Sequence, residues 1–305
     1  MTEPFVTKIL LATDGSSDAA LAARAAADLA KATGAELHLV HAWQVGVGPR
    51  LEAYLRSQQE RDARALLEAQ VELAQTLGAS VAGSHLREGQ PVEEIVGLSE
   101  EIGAGLIVMG SRGLGPVGRL LLGSVCEGVV HDAGDPVLVV RGGEEAWPPQ
   151  RLIIGDDGSA AAREAGELAA RIGHLFGARG VIVHAYLEMP EIEAKVRAFD
   201  PRAADDALGR AERTLEERAH ELEELLGSRP QPEIAIGDAA YVLLEEAGEG
   251  DEKRALIAVG SRGLGPVGRM RLGSTSTKVL RAARGPVLVC PLRGQETGDE
   301  GDRLG

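Results

Sequence analysis

The ten residues GSRGLGPVGR occur twice in this chain, at Gly110–Arg119 and again at Gly260–Arg269. Each copy opens the spacing Gly-x2-Gly-x9-Gly-Ser, made by Gly110, Gly113, Gly123 and Ser124 and by Gly260, Gly263, Gly273 and Ser274. The chemistry this suits is anion binding. Glycines let backbone amides approach a phosphate closely and can take positive φ. A Gly-Ser that starts a helix presents unpaired N–H groups and a positive dipole end to an anion. The Ser124 and Ser274 hydroxyls can cap that helix or donate to a phosphate oxygen. Arg112 and Arg262, inside the first turn, are better placed for phosphate than Arg119 and Arg269. The plainer alternative is a set of turns with Ser124 as an ordinary cap. Ten identical residues in two otherwise diverged halves weigh against it.

Gly113 to Gly118 also satisfies G-x-G-x-x-G, the dinucleotide fingerprint, which belongs after a first strand with an acidic residue about 20 positions on. Here the stretch follows a fourth strand, Pro116 interrupts the helix, and no Asp or Glu lies between Leu264 and Gln295. NAD is rejected. A second element is Asp-Gly-Ser at Asp14–Ser16 and Asp157–Ser159. Its carboxylate can accept a ribose hydroxyl or help hold a phosphate-bound Mg²⁺. It can equally make an Asx turn into the next helix, and the residues leave both readings open. His41 and His184 read as packed strand-end histidines, since neither has a nucleophile or metal partner in sequence. His131 is matched by Arg281 and reads as surface.

These residues need an α/β frame. Short apolar runs alternate with helical patterns in both halves: KILLAT, ELHLVHA, SVAGSHL, LIVMG and PVLVV, then RLIIG, ARGVIVHA, PEIAI, ALIAVG and PVLVC. Helices are expected over Ser17–Thr33, stopped by Gly34, over Leu51–Leu77, from Pro91, and over Ser124–His131. Strands with helices between them imply a parallel sheet covered on both faces. The repeat gives one domain over 1–142, a linker over 143–150, a second domain over 151–293 and a frayed tail over 294–305. The second copy has the longer middle.

A hydrophobic content of 44% supports two cores, and 3% aromatic content means they are built of Ala, Val, Leu and Ile. A net charge of -15 and few stacking rings argue against nucleic acid as the main ligand. No stretch approaches the roughly 20 apolar residues of a membrane span. Cys126 and Cys290 suit packed, reduced thiols, and a cytoplasmic location is the expectation.

Taken together, the loop spacing after LIVMG, the aspartate after the first strand and the closing PVLVV resemble the ATP-binding branch of the universal stress proteins, here as a tandem member. That resemblance implies two open five-stranded parallel sheets of order 3-2-1-4-5 with helices on both faces, the Rossmann-like adenine nucleotide alpha hydrolase type. It implies ATP as ligand, with Asp14 and Asp157 beside the nucleoside, where the same carboxylates could reach a nucleotide-bound Mg²⁺. It places Ala12, Asp14, Ala42, Gly110, Ser111, Arg112, Gly113, Gly123, Ser124 and Val125 around one nucleotide. Around the other it places Gly155, Asp157, Ala185, Gly260, Ser261, Arg262, Gly263, Gly273, Ser274 and Thr275. Backbone at Ala42 and Ala185 would meet adenine. The expected activity is regulatory nucleotide binding with little or no hydrolysis, because the loops hold no Lys for the β/γ-phosphates. Weighed against it are an ATP pyrophosphatase or nucleotidylyl transferase and a ligand-free interaction module. Single-domain relatives, by the same resemblance, pair their last strands. Pro136–Val140 and Pro286–Cys290 are therefore expected to join as an internal pseudo-dimer, leaving other surfaces for a homodimer.

Overall fold

The computed structural model describes residues 5–44, 49–113, 122–186, 201–248, 254–262 and 272–292, with side chains omitted for 49–55 and 201–208. Gly263, Arg119, Arg269 and the tail lie outside the described residues.

The first half runs β1 (Lys8–Ala12), α1 (Ser17–Thr33), β2 (Glu36–Trp43), α2 (Pro49–Thr76), β3 (Val81–Glu88), α3 (Pro91–Ile102), β4 (Leu106–Gly110), α4 (Ser124–Asp132) and β5 (Val137–Val140). The second runs β6 (Arg151–Gly155), α5 (Ala160–Phe176), β7 (Arg179–Tyr186), α6 (Pro201–Leu226), β8 (Gln231–Ile236), α7 (Ala239–Gly248), β9 (Ala255–Gly260), α8 (Ser274–Ala282) and β10 (Val287–Cys290). A short 3-10 turn at Glu144–Ala146 lies between them.

The central strands read as unbroken apolar runs because both of their faces are covered. Ile9, Leu10 and Leu11 of β1 are fully buried, as are Leu152, Ile153 and Ile154 of β6. With few aromatics to fill space, the helices pack close on alanine. Ala22, Ala23, Ala25, Ala26 and Ala27 of α1 have no exposed surface. Ser16 caps α1 by accepting from the Ala19 N–H at 3.2 Å, and Ser159 caps α5 from Ala162 at the same distance. Gly34 and Gly177 end these helices in the left-handed region, at φ 76° and 68°, where an L side chain is strained.

Each half has the expected strand order, and the two sheets are fused. The full order is β3-β2-β1-β4-β5-β10-β9-β6-β7-β8 in one ten-stranded sheet. Strands within a half are parallel, while β5 and β10 pair antiparallel with Val139 opposite Val287, Leu138 opposite Leu288 and Val137 opposite Val289. This is the edge pairing that the two proline-led strands suggested. One core includes Leu138, Val140, Leu288 and Cys290, and the other includes Val137, Val139, Val287 and Val289. Both cores therefore run through the junction without a break.

Polar contacts follow the same seam. The buried Arg141 guanidinium donates to the Leu280 carbonyl at 2.6 Å and the Ala283 carbonyl at 2.9 Å, closing the end of α8. Burial lowers its pKa from the ordinary arginine value. Arg281 pairs with Glu127 across the halves at 2.5 Å. The linker is packed, with Ala146 and Trp147 buried and Trp147 edge-on to Phe176 at 5.4 Å between ring centroids. Cys126 and Cys290 are free and buried. No helix among the described residues is long and apolar enough to cross a membrane.

Truncation after Arg141 removes β10 and leaves the apolar β5 edge without its partner. The fragment is expected to dimerise, read by light scattering. A strictly monomeric fragment at high concentration would contradict the role given to this edge.

Candidate functional site

The site begins at the carboxyl ends of the strands, where open α/β sheets bind ligands. After β1 and β6 the chain turns through Gly15 and Gly158, at φ 77° and 80°. Asp14 Oδ1 accepts the Ser16 N–H at 3.0 Å, and Asp157 Oδ1 accepts that of Ser159 at 3.0 Å. The Asx turn is real in both halves, and it leaves the carboxylate at the loop. A Cβ on Gly113 would come within 2.3 Å of Asp14 Oδ2. The turn and a ligand-facing aspartate are therefore compatible.

In the second half these pieces enclose a cleft of about 450 Å³, within the usual range for small-molecule sites. Gly155 and Asp157 line it from the exit of β6, and Ala185 from the end of β7. Gly260 and Arg262 line it from the loop after β9, and Gly273, Ser274 and Thr275 from the start of α8. Eight positions expected from sequence thus meet in one cavity. Leu243 and Val259 supply an apolar wall. In the first half, Ala12 is buried under the β1 exit, Ala42 and Val125 are half-buried, and Ser124 is exposed.

Three local readings need correction. The first concerns φ. None of Gly110, Gly113, Gly123, Gly260 and Gly273 has positive φ. Space is what Gly110 and Gly260 supply. A Cβ on Gly110 would lie 2.7 Å from the Asp18 carbonyl carbon, and one on Gly260 2.7 Å from the Ala162 nitrogen. The bare strand end lets the first turn of α1 or α5 cross over it. The second concerns Ser124 and Ser274. The N-caps are Gly123 and Gly273, without a side-chain cap bond, and the serines stand at the first helical position. Each capping glycine instead closes the loop by donating to the Ser111 carbonyl at 2.9 Å or the Ser261 carbonyl at 2.6 Å. The helix start facing the cleft therefore carries no side-chain cap.

The third concerns Ser111 and Ser261, which are buried behind the loop. Their N–H groups bond Val140 and Cys290 at 3.1 and 2.6 Å. The Ser111 hydroxyl donates to Asp18 Oδ2 at 2.7 Å, and that of Ser261 accepts from the Leu292 N–H at 3.2 Å. Both anchor the loop.

His41 and His184 do the same work in each half. Each ring Nδ1 lies 2.8 or 2.7 Å from the carbonyl of Thr13 or Asp156, holding the strand exit. Sequence reading missed the partners of the residue before each aspartate. Thr13 donates to Gln70 Oε1 at 2.9 Å. Asp156 forms a buried pair with Arg218 at 3.2 Å and accepts the Gly158 N–H at 2.7 Å. Arg218 lies 62 positions away, so no local signal could have named it. Arg218 also bonds Glu221, and that hydrogen bond is the largest cause of a lowered Glu221 pKa. Among the described residues no group of three Asp, Glu, His or Cys comes together to hold a metal. The carboxylates lining the second cleft are Asp157 and Asp156, the latter held by Arg218, fewer than a protein-built metal cage supplies.

A doubly wound α/β unit used twice, with a glycine-loop cleft at the strand ends, is the class this geometry defines. The chain belongs to the universal stress protein family, whose profile matches residues 6–141 and again 149–291. A universal stress protein of Mycolicibacterium smegmatis is 31% identical over 300 residues, covering 92% of this chain and 96% of that one. One from Thermus aquaticus is 43% identical over 138 residues, 44% of this chain and 97% of that one. The crystal structure of a universal stress protein from Archaeoglobus fulgidus has a TM-score of 0.65 at 24% identity, covering 96% of this chain and 100% of that one, a likeness of fold.

The glycine roles separate by experiment. Gly110→Ala and Gly260→Ala force backbone apart and are expected to cost about 1–3 kcal/mol each, read from the denaturant midpoint. Ser124→Ala and Ser274→Ala remove no cap and are expected to stay within about 0.5 kcal/mol of wild type. A loss near 1 kcal/mol, the usual cost of a missing cap, would restore the capping role.

Proposed function

We propose that each half binds one adenine nucleotide, ATP with its Mg²⁺, and that the chain is a regulatory nucleotide binder with little or no hydrolysis. The observation that carries this reading is the second-half cleft, where strand exits, loop and the start of α8 converge. First-turn amides of α4 and α8 receive the phosphates, as helix N-termini do for anions. Asp14 and Asp157 stand at the ribose or the phosphate-bound Mg²⁺. Backbone at Ala42 and Ala185, with Leu243 and Val259 on the second-half wall, meets the base.

Backbone recognition explains how a chain of net charge -15 holds a polyanion, because amide dipoles act locally whatever the overall charge. Turnover is a different demand. Phosphoryl transfer uses a cation on the β/γ-phosphates and a group that orients the attacking water. The loop sequences carry arginine but no Lys, and one ring nitrogen of each strand-end histidine is committed to a backbone carbonyl. Binding is served and catalysis is not.

Nucleotide released from denatured protein and identified by mass is the direct test. Calorimetric titration of ligand-free protein with MgATP is expected to give a stoichiometry near two. A clear single site, with Gly273→Ala silent and Gly123→Ala abolishing binding, would sink the two-site reading. Gly113→Val pushes a side chain into the Asp14 carboxylate and is expected to remove one of the two sites while the fold persists. Unchanged binding by Gly113→Val would mean the loop is not the phosphate cradle.

A further inference from the structure

The two halves share their loop sequence, yet the loops are held differently. The shared part is backbone. Ser16 Oγ donates to the Arg112 carbonyl at 3.1 Å, and Ser159 Oγ donates to the Arg262 carbonyl at 3.2 Å. Each capping serine of α1 and α5 thus fixes the loop's second residue from the same side. The difference is at the next turn position. Asp18 sits two residues after Ser16, and Ala161 sits two residues after Ser159.

Asp18 is buried, at 9% exposure. Its Oδ2 accepts from Ser111 Oγ at 2.7 Å and from Arg112 Nε at 3.3 Å. One carboxylate oxygen therefore holds both the buried anchor and the cationic residue of the first loop. In the second half a methyl group stands in that place, the Ser261 hydroxyl turns to Leu292, and Arg262 lines the cleft. The arginines are identical in sequence, but one is paired with a fixed negative charge and the other has an alanine where that charge would be.

We propose that Asp18 is a specificity-determining residue of the first site, one that lowers its preference for highly phosphorylated nucleotides relative to the second. This rests on the adenine-nucleotide reading of both clefts. A guanidinium draws a ligand in proportion to the ligand's charge, so it favours ATP over AMP. A carboxylate sharing that guanidinium cancels part of the field and adds repulsion of its own. The ligand's base and ribose are indifferent to this pair, so the effect falls on the ratio of ATP to AMP affinity. The second site is then the triphosphate-selective one, and the first tolerates ligands with fewer phosphates.

Asp18→Asn keeps the shape and the acceptor oxygen for Ser111 while removing the charge. In the full-length, ligand-free chain titrated with ATP and with AMP, it is expected to raise the first site's ATP-to-AMP ratio about threefold to fivefold. The second site's ratio stays put. In an Arg112→Gln background the same change is expected to move the ratio less than about twofold. A ratio unmoved by Asp18→Asn, or raised equally without Arg112, overturns the proposal.

A second comparison does not depend on how well the Asp18 variants fold. Arg262→Gln is expected to lower the second site's ratio about threefold to fivefold, and Arg112→Gln to lower the first site's less than about twofold. Equal losses at the two sites overturn the proposal. If the chain binds no adenine nucleotide at all, both the proposed function and this assignment fall. If it binds two and the ratios ignore these variants, only the assignment falls.

Discussion

A strand end without a side chain is the constraint on which both halves are built. At Gly110 and Gly260 the first turn of α1 or α5 passes so close that even a methyl group would meet backbone at 2.7 Å. That approach brings the capping serine of the helix to the loop, where Ser16 and Ser159 hold the carbonyls of Arg112 and Arg262. It also sets the Asp-Gly turn beside the loop, since the turn and the cap are neighbours in sequence. Loosen the crossing and the aspartate, the loop and the start of the next helix lose their common reference. A larger residue at the strand end would relieve nothing, because both sides of the contact are backbone and neither can rotate away.

The fold was legible because its signals are local and repeated. Fully buried parallel strands announce themselves as apolar runs, and the helices between them carry serine caps and left-handed glycine stops that sequence displays. The strand order within each half came from resemblance, and the register of β5 on β10 needed the structure. In the site, the loop residues that line the second cleft were legible because a duplicated loop marks itself, while Ala185 came from resemblance. The roles within that loop were less so. Glycine is equally suited to positive φ and to close approach, and composition cannot say which use applies. Serine after glycine looks like a cap, yet the structure places the cap one residue earlier. Asp18 and Arg218 were hidden for a plainer reason. Their partners lie 93 and 62 positions away, and no periodicity links them.

The duplicated halves have diverged where a partner could change along with a residue. Thr13 with Gln70 in one half becomes Asp156 with Arg218 in the other, and both pairs steady the same strand exit. The ionic version is buried at 5% and 4% side-chain exposure. Breaking such a pair strands a charge, while replacing it whole can be neutral. That asymmetry allows the two exits to differ in chemistry while their geometry stays alike. Cys126 and Ser276 show the same freedom at the third position of α4 and α8. The serine donates to the Gly260 carbonyl at 2.6 Å. The thiol is buried, and burial pushes its pKa up to about 12, so it packs as a small apolar group rather than as a nucleophile.

The seam between the halves is also part of the site. Val140 and Cys290 end the two junction strands, and their carbonyls accept the N–H groups of Ser111 and Ser261. The strands that join the halves are therefore the strands that anchor the loops. Arg141 adds a second link, because it follows Val140 directly and closes the carbonyl end of α8, the helix whose other end faces the second cleft. A helix of nine residues is about 13 Å long, so its capped end and its cleft-facing end move as one body. The cation at the carbonyl end favours the helix dipole, whose positive end lines the second cleft. Fusion of two domains through β5 and β10 thus does more than hide an edge. It places a residue of the first half in the electrostatic frame of the second site, while Pro291, the matching residue after Cys290, has no charge to return.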